Sequence, residues 1–432
     1  MRIAYVRNKR NSVLFVIGLF IAIWIFDLVT LAIIPISTKS REYGQSVLLS
    51  SMFCLLTAVS ALYMYLFLAC KIKSINYRYT KRISSQEVSR TAIVMGTASL
   101  VGIALMYYDR VFLRGIDYSQ GIRVARYQWF ESQGGSMPSV LGNLLSPLSY
   151  CALYLSIYFW DELRGFYRNY GLTTGILTPI LHAMINGGRS NTFTMLFFLI
   201  IFCEFRVLNR KSFFPKIPFL GLKIIGLMAF VIFTVMLVFT WSMGELDTYS
   251  FLKLSAIESG GYMEEWYTRS NDMPIFDIFT MMFHYAFHGQ WHFADMLARD
   301  LAKHSSNETL LFTGINTITS RLHLTDMKVA PAFIGYQFIN YPGMILFDLG
   351  WIGYFIFSII FGCFWGIAIW LMGGNRGVFN MFGLAFSAFM FLEVMESPIN
   401  DGFSLGYGNF AIFALLVLGV YIRLRYGRRL IK

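Results

Sequence analysis

Charge is scarce in this chain: 14% of its 432 residues are Asp, Glu, Lys or Arg, against 56% that are hydrophobic. Soluble domains carry about 25% charged residues, so an ordinary globular domain is excluded. The sequence holds no Gly-rich phosphate loop and no dinucleotide fingerprint. The connection Gly373-Gly374-Asn375-Arg376-Gly377 is too short to bind a nucleotide. Chemistry drawing on a soluble activated donor is therefore disfavoured, which leaves lipid-borne chemistry or transport. Cysteine is sparse too. The five, Cys54, Cys70, Cys151, Cys203 and Cys363, sit inside or at the ends of apolar runs, with neither metal-ligand spacing nor a pairing pattern. They read as plain core thiols. A cleavable leader is also missing, because Val13 to Ile36 is too long for a signal h-region and no small-residue cleavage site follows it. There is no long linker, no low-complexity tract and no internal repeat.

What is present is a succession of apolar runs, several long enough for the ~20 residues that a helix needs to cross a bilayer. They predict an all-α, polytopic membrane bundle forming a single integral membrane domain over 1–432. About ten helices are expected, roughly at 13–36, 47–70, 91–108, 141–160, 172–186, 190–205, 222–243, 346–372, 378–395 and 408–424. Basic residues choose the orientation, since cytoplasmic connections carry the excess of Lys and Arg. Arg2, Arg7, Lys9 and Arg10, the connection from Lys71 to Arg90, the connection from Arg206 to Lys223, and the tail from Arg423 to Lys432 all fall on one face. Both termini are accordingly expected in the cytoplasm, with external segments at about 109–140 and 244–345. The net charge of +12 follows from this arrangement, and no nucleic-acid partner is expected.

The stretch around which the rest is organised runs from Leu172 to Phe205, two short apolar runs joined by Gly187-Gly188-Arg189-Ser190-Asn191. An arginine at such a place is expensive unless it finds water, a partner or a ligand. Arg189 either snorkels to the outer surface or binds an anion, for which its planar fork of donors suits phosphate oxygens. The first external segment adds Arg110, Arg114, Arg123 and Arg126, with Asp117, Tyr118 and Gln120 between them. These arginines break the charge rule for short external connections. Either they surround an anion together with Arg189, or they pair with Glu245, Asp247 and the other acids of the larger segment.

That larger segment holds five of the six histidines. Its part from Ile275 to Ala302 has helical spacing and many aromatics, which suits either a helix lying in the membrane interface or one packed over the bundle. His284, His288 and His292 recur every four residues and would share one helix face. A pair at that spacing can ligate zinc, but Gly289 interrupts the run and no carboxylate completes a ligand set, so no metal is expected. His323 stands apart, beside Arg321, and is either a general base or a loop histidine. Glu393, Glu396 and Asp401 lie at the external mouth, where a carboxylate could pair with Arg189, take a proton from a hydroxyl, or simply cap a turn. Gly350, Gly353, Gly362 and Gly366 permit close helix contact.

Together these features resemble the Wzy-type O-antigen or oligosaccharide repeat-unit polymerases. The resemblance rests on Asp117-Tyr118-Ser119-Gln120 in an arginine-rich first external segment, and on Met184-Ile185-Asn186-Gly187-Gly188-Arg189 before a further apolar run. It rests also on the long external segment before the last helices, with Asp348-Leu349-Gly350 and Ile352-Gly353 opening the helix after it. The resemblance implies an inverting glycosyltransferase of GT-C-like architecture in the bacterial inner membrane. Its donor and acceptor would be undecaprenyl-pyrophosphate-linked oligosaccharides, with membrane lipid and a chain-length regulator as partners. Arg189 matches the arginine after the paired glycines. Arg123 and Arg126 lie where the family places basic residues, and Arg123 to Gly134 resembles an arginine-x10-glycine pattern; a second such pattern in the large segment is missing. Pyrophosphate is already a good leaving group, so no general acid is required, and no cofactor is expected. Arginines (Arg189, Arg123, Arg126, Arg114, Arg321) would stabilise its charge, and one imidazole or carboxylate, His323 or Asp401, would take the proton of the incoming hydroxyl. The competing readings are an O-antigen ligase-like transferase and a transporter or flippase of lipid-linked oligosaccharide. Against the latter, no inverted repeat or matching pair of broken helices is seen.

Overall fold

The computed structural model describes residues 14, 17–26, 28–29, 36–38, 42–71, 84–119, 121–131, 136–186, 190–209, 211–212, 253, 261–263, 280, 289–298, 340–372, 383–390 and 406–426. Almost all of them are helical. In chain order the helices are α1 (Ile17–Phe26), α2 (Tyr43–Lys71), α3 (Ser85–Tyr108), α4 (Ile122–Glu131), α5 (Met137–Leu145), α6 (Leu148–Tyr158), α7 (Gly165–Asn186), α8 (Ser190–Leu208), α9 (Gly289–Ala298), α10 (Tyr341–Met372), α11 (383–390) and α12 (Gly406–Tyr426). The all-α expectation needs one addition. Two short strands, β1 (Ile36–Thr38) and β2 (Gly261–Met263), pair antiparallel with Ser37 opposite Tyr262.

Among the described residues four stretches are long and apolar enough to cross a membrane: α2, α3 with its extension to Leu113, α5 with α6, and α10. Their outward faces carry Val59, Val94, Ile352, Ile356 and Phe364, all exposed. Apolar side chains displayed on that scale mark a surface that meets lipid and not water. The chain is a helical membrane protein.

Several boundaries differ from those the hydropathy predicts, for local reasons. Helix α3 begins at Ser85 and not near residue 91, because Ser84 caps it: its hydroxyl accepts from Glu87 N–H at 3.2 Å and donates to Glu87 Oε2 at 3.1 Å. This reciprocal cap needs no apolar residue and so leaves no hydropathy signal. The run at 141–160 is two helices, since Pro147 follows Ser146 at the junction of α5 and α6 and has no N–H to continue the ladder. Helix α7 starts at Gly165, well before Leu172, and α10 starts at Tyr341 and bends at Gly350, whose φ of 65° is open to glycine. The expected helix at 222–243 lies outside the described residues.

Packing explains the glycines of α10 in two ways. A Cβ at Gly362 would stand 2.4 Å from Thr57 O, and one at Gly366 would stand 2.3 Å from Ala61 O, so these two let α10 lie directly on the backbone of α2. Gly350 has nothing within 4 Å and serves the bend, not the contact. Helices α2 and α10 run parallel, with the Tyr354 hydroxyl donating to Leu49 O and a cluster of Phe20, Phe53, Tyr341 and Trp365 between α1, α2 and α10. Helix α6 is apolar on every side and buried from Ser149 to Ile157, the position of a central helix.

Of the segment 275–302, expected either in the membrane interface or packed over the bundle, the described helix is α9 (Gly289–Ala298), and it packs against the bundle: Gln290, Trp291, His292, Phe293, Ala294 and Met296 are all buried. It packs against α2, where Gln290 Oε1 accepts from the Ser50 hydroxyl at 2.9 Å and from Asn340 Nδ2 at 2.5 Å. A satisfied buried amide of this kind pins one helix in one register.

The bundle has two ends. At one lie the starts of α2 and α10, helix α9, the β1–β2 pair, the close of α3 and the α7–α8 junction. At the other, Ser85 Oγ donates to Glu162 O at 2.6 Å and Asn209 Nδ2 donates to Met372 O at 3.2 Å.

Candidate functional site

Helix α3 does not stop where its apolar run stops. Beyond Tyr108 it widens into a π-helical turn, Asp109–Leu113. Arg114 N–H donates to Asp109 O at 3.1 Å and Ile116 N–H donates to Arg110 O at 3.0 Å, with Gly115 left-handed at φ 66° to close it. Such turns gather at functional sites because they re-aim side chains. Here two sequence neighbours, Asp109 and Arg110, are both buried, at 0% and 1% exposure.

Arg110 is the centre of the site. Its Nη2 donates to Asn186 Oδ1 at 2.6 Å, and its guanidinium carbon lies 3.8 Å from the ring centroid of Trp129 on α4. Its Nε is buried and makes no hydrogen bond among the described residues. Asp109 Oδ2 accepts from Arg114 Nε at 3.0 Å and stands 3.9 Å from Arg110 Nε, while its Oδ1 accepts from the Ser136 hydroxyl. Two arginines share one carboxylate. The Arg110 guanidinium thus sits in a place with little water, where an anion within reach would be favourable.

A second arginine at the opposite end makes an instructive contrast. Arg206, fully buried, donates to the carbonyls of Ile157, Tyr158 and Ser212 and to Asp161 Oδ2 at 3.3 Å. Cations suit the carbonyl end of a helix, and this one caps α6. Among the described residues Arg206 has four acceptors, whereas Arg110 has one hydrogen-bond acceptor, Asn186, besides its contacts with Asp109 and Trp129.

Next to Arg110 a set of amides surrounds His182, which is 3% exposed. Asn191 Nδ2 donates to its Nδ1, its Nε2 donates to Asn143 Oδ1 at 3.4 Å, and Asn186 Nδ2 lies 3.0 Å and 3.1 Å from the two ring nitrogens. The turn at 117–119 closes the site from the side. Asp117 Oδ1 accepts from Ser119 N–H at 2.8 Å, and the Tyr118 hydroxyl donates to Ile185 O at 2.7 Å, one of the carbonyls left open where α7 ends. Hydrogen bonds from Ser119 hold the Asp117 carboxyl below its usual range, and burial pushes the Tyr118 phenol up. The phenol thus stays protonated as a donor.

Of the residues singled out from sequence, Arg114 is in the site and pairs with Asp109; Glu245 and Asp247, its other expected partners, lie outside the described residues. Arg126 is half-buried on α4, one turn before Trp129, and Arg123 falls in the first turn of the same helix. Arg189, Arg321, His323 and Asp401 lie outside the described residues, as do His284 and His288. The sequence reading passed over His182, Asn143 and Asn191 and gave Arg110 and Asn186 no role of their own. A signal was available: polar His182 and Asn186, four apart in an otherwise apolar run, share a helix face, and buried polar groups in membrane segments mark function by default.

Compared with protein-family models, with curated proteins and with solved structures, the chain gives no match.

Proposed function

We propose that the chain is a Wzy-type polymerase, a membrane glycosyltransferase that joins undecaprenyl-pyrophosphate-linked oligosaccharide repeat units into surface polysaccharide, with inversion, at the external face of the bacterial inner membrane. The observation that supports it best is the Arg110–Asp109–Arg114 group: a buried arginine and a half-buried one at one carboxylate, with the buried Arg110 Nε making no hydrogen bond among the described residues. A leaving pyrophosphate would bring negative charge to these donors, and donors already in place cost no reorganisation as that charge develops. Arg189 follows Asn186 by three residues, and Arg123 and Arg126 sit on the helix whose Trp129 holds Arg110. These would complete the anion's shell, with Arg321 from the large segment. His323 or Asp401 takes the proton of the acceptor hydroxyl. The bundle is read as GT-C-like, with about ten spans and both termini in the cytoplasm.

The test is complementation of a strain lacking the gene, scored by the ladder of surface polysaccharide on a gel. Wild type should restore the ladder, and its loss should leave single-repeat product. No surface glycan at all would mean a flippase, and polymer left unattached would mean a ligase. Arg110→Lys keeps the charge but loses the fork and the stacking plane. At matched protein level it should make almost only single repeats, as expected for a loss of roughly a hundredfold in rate. Normal chain lengths from that variant would remove Arg110 from the reaction.

A further inference from the structure

Asn186 is the last residue of α7 and Asn191 the second of α8, so the two flank the connection that carries Arg189. Both reach the same imidazole. Asn191 Nδ2 meets His182 Nδ1 from the ring edge, whereas Asn186 Nδ2, nearly equidistant from both ring nitrogens, sits over the ring face in an N–H···π contact. With Nδ1 accepting, the ring is the Nε2–H tautomer, and that proton goes to Asn143 Oδ1 on α5. Asn143 Nδ2 in turn donates to Ser139 O at 2.8 Å, so the acceptor is itself held. On the other side, Asn186 Oδ1 takes the hydrogen bond of Arg110. Every polar atom of the imidazole is engaged and the ring is buried, so it has no lone pair to offer an incoming hydroxyl. Its chemistry is that of a clamp.

We propose that His182 is a positioning residue: by holding Asn186 and Asn191 it sets the geometry of the α7–α8 junction and, through Asn186, the aim of the Arg110 guanidinium. Its part in glycosyl transfer rests on the functional reading above, but the clamp itself does not. His182→Phe keeps the ring's bulk and removes both in-plane hydrogen bonds. His182→Gln restores an acceptor for Asn191 and a donor for Asn143.

Two measurements on the full-length chain in detergent or liposomes decide it. In hydrogen exchange read by mass spectrometry, peptides covering 183–195 should exchange at least about tenfold faster in His182→Phe, while α2 and α10 are unchanged; local opening of this kind is what the loss of a local clamp produces. His182→Gln should return most of that protection. In a polymerisation assay His182→Phe should lose about a hundredfold in turnover, as misplacement by an ångström does, with little change in the donor concentration for half-maximal rate. His182→Gln should recover most of that turnover. Wild-type exchange at 183–195 in His182→Phe, failure of His182→Gln to restore it, or a loss carried by KM alone would overturn the proposal. Should His182→Phe not accumulate, Asn191→Ala leaves the ring in place, and its exchange must rise over the same peptides or the proposal falls. If the wild-type chain does not polymerise, the functional reading fails while the exchange comparison still decides the clamp.

Discussion

At the scale of single residues, Asp109 is the most exposed to test, because two arginines depend on it. Asp109→Asn keeps the shape and a hydrogen-bond acceptor but takes the carboxylate from the buried Arg110 and the half-buried Arg114. Breaking a buried ion pair from one side costs about 3–5 kcal/mol, so the variant should unfold at markedly lower temperature in detergent. Inorganic pyrophosphate should recover part of the loss, since a ligand that binds only the folded state stabilises it by mass action. A variant as stable as wild type would mean that water reaches the group freely. The same residues show what sequence leaves unsaid. Arg114 was legible as an arginine needing a partner, yet the partner came from five positions upstream, and only the π-helical turn brings the two side chains together. Tyr118 belongs to the motif that suggested a family, and in the fold its hydroxyl caps α7.

At the scale of elements, glycine does two different jobs, and the same substitution should separate them. Gly350→Ala meets open space and suffers only backbone strain, its φ of 65° and ψ of −174° being essentially reserved for glycine, a cost of about 1–3 kcal/mol. Gly142→Ala keeps a helical backbone but puts a Cβ 2.4 Å from Met106 Cγ and 2.7 Å from Gly102 O, where α3 and α5 cross. A side chain can yield and a backbone carbonyl cannot, so α5 must move away from α3. Thermal unfolding of the two variants should therefore rank Gly142→Ala as the more harmful, and it alone should also reduce activity, because α5 carries Asn143. Equal midpoints would show that the α3–α5 contact is looser than drawn. The helices themselves were legible where apolar runs are long, as in α2 and α10. Their ends were not, because caps and turns are built from polar residues that hydropathy does not weigh.

For the whole molecule, the charge rule and the tertiary structure speak to topology independently. Charge assigns the α1–α2 connection, the segment after α3 and the long segment 244–345 to one face. In the fold, β1 pairs with β2 and Gln290 reaches Ser50, which brings the α1–α2 side beside two pieces of the long segment, while Arg110 reaches Asn186 at the close of α7. Reporter fusions placed in 305–308 and after Lys432 should therefore report opposite sides of the membrane. Same-side signals would break the topology and the catalytic scheme together.

The sequence alone determined that this is a helical membrane protein and that arginines on one face need explaining, because both follow from the transfer cost of side chains between water and lipid, a property each residue carries with it. It also drew attention to the junction around Arg189. Only the tertiary structure decided that Arg110 is the buried member of the cluster, that Arg114 is answered by Asp109, and that His182 ties two helix ends together. Those outcomes depend on how the backbone turns at the close of α3 and on which groups meet across α3, α4, α5, α7 and α8, and hydrogen bonds set by that geometry leave no mark on the hydropathy of the chain.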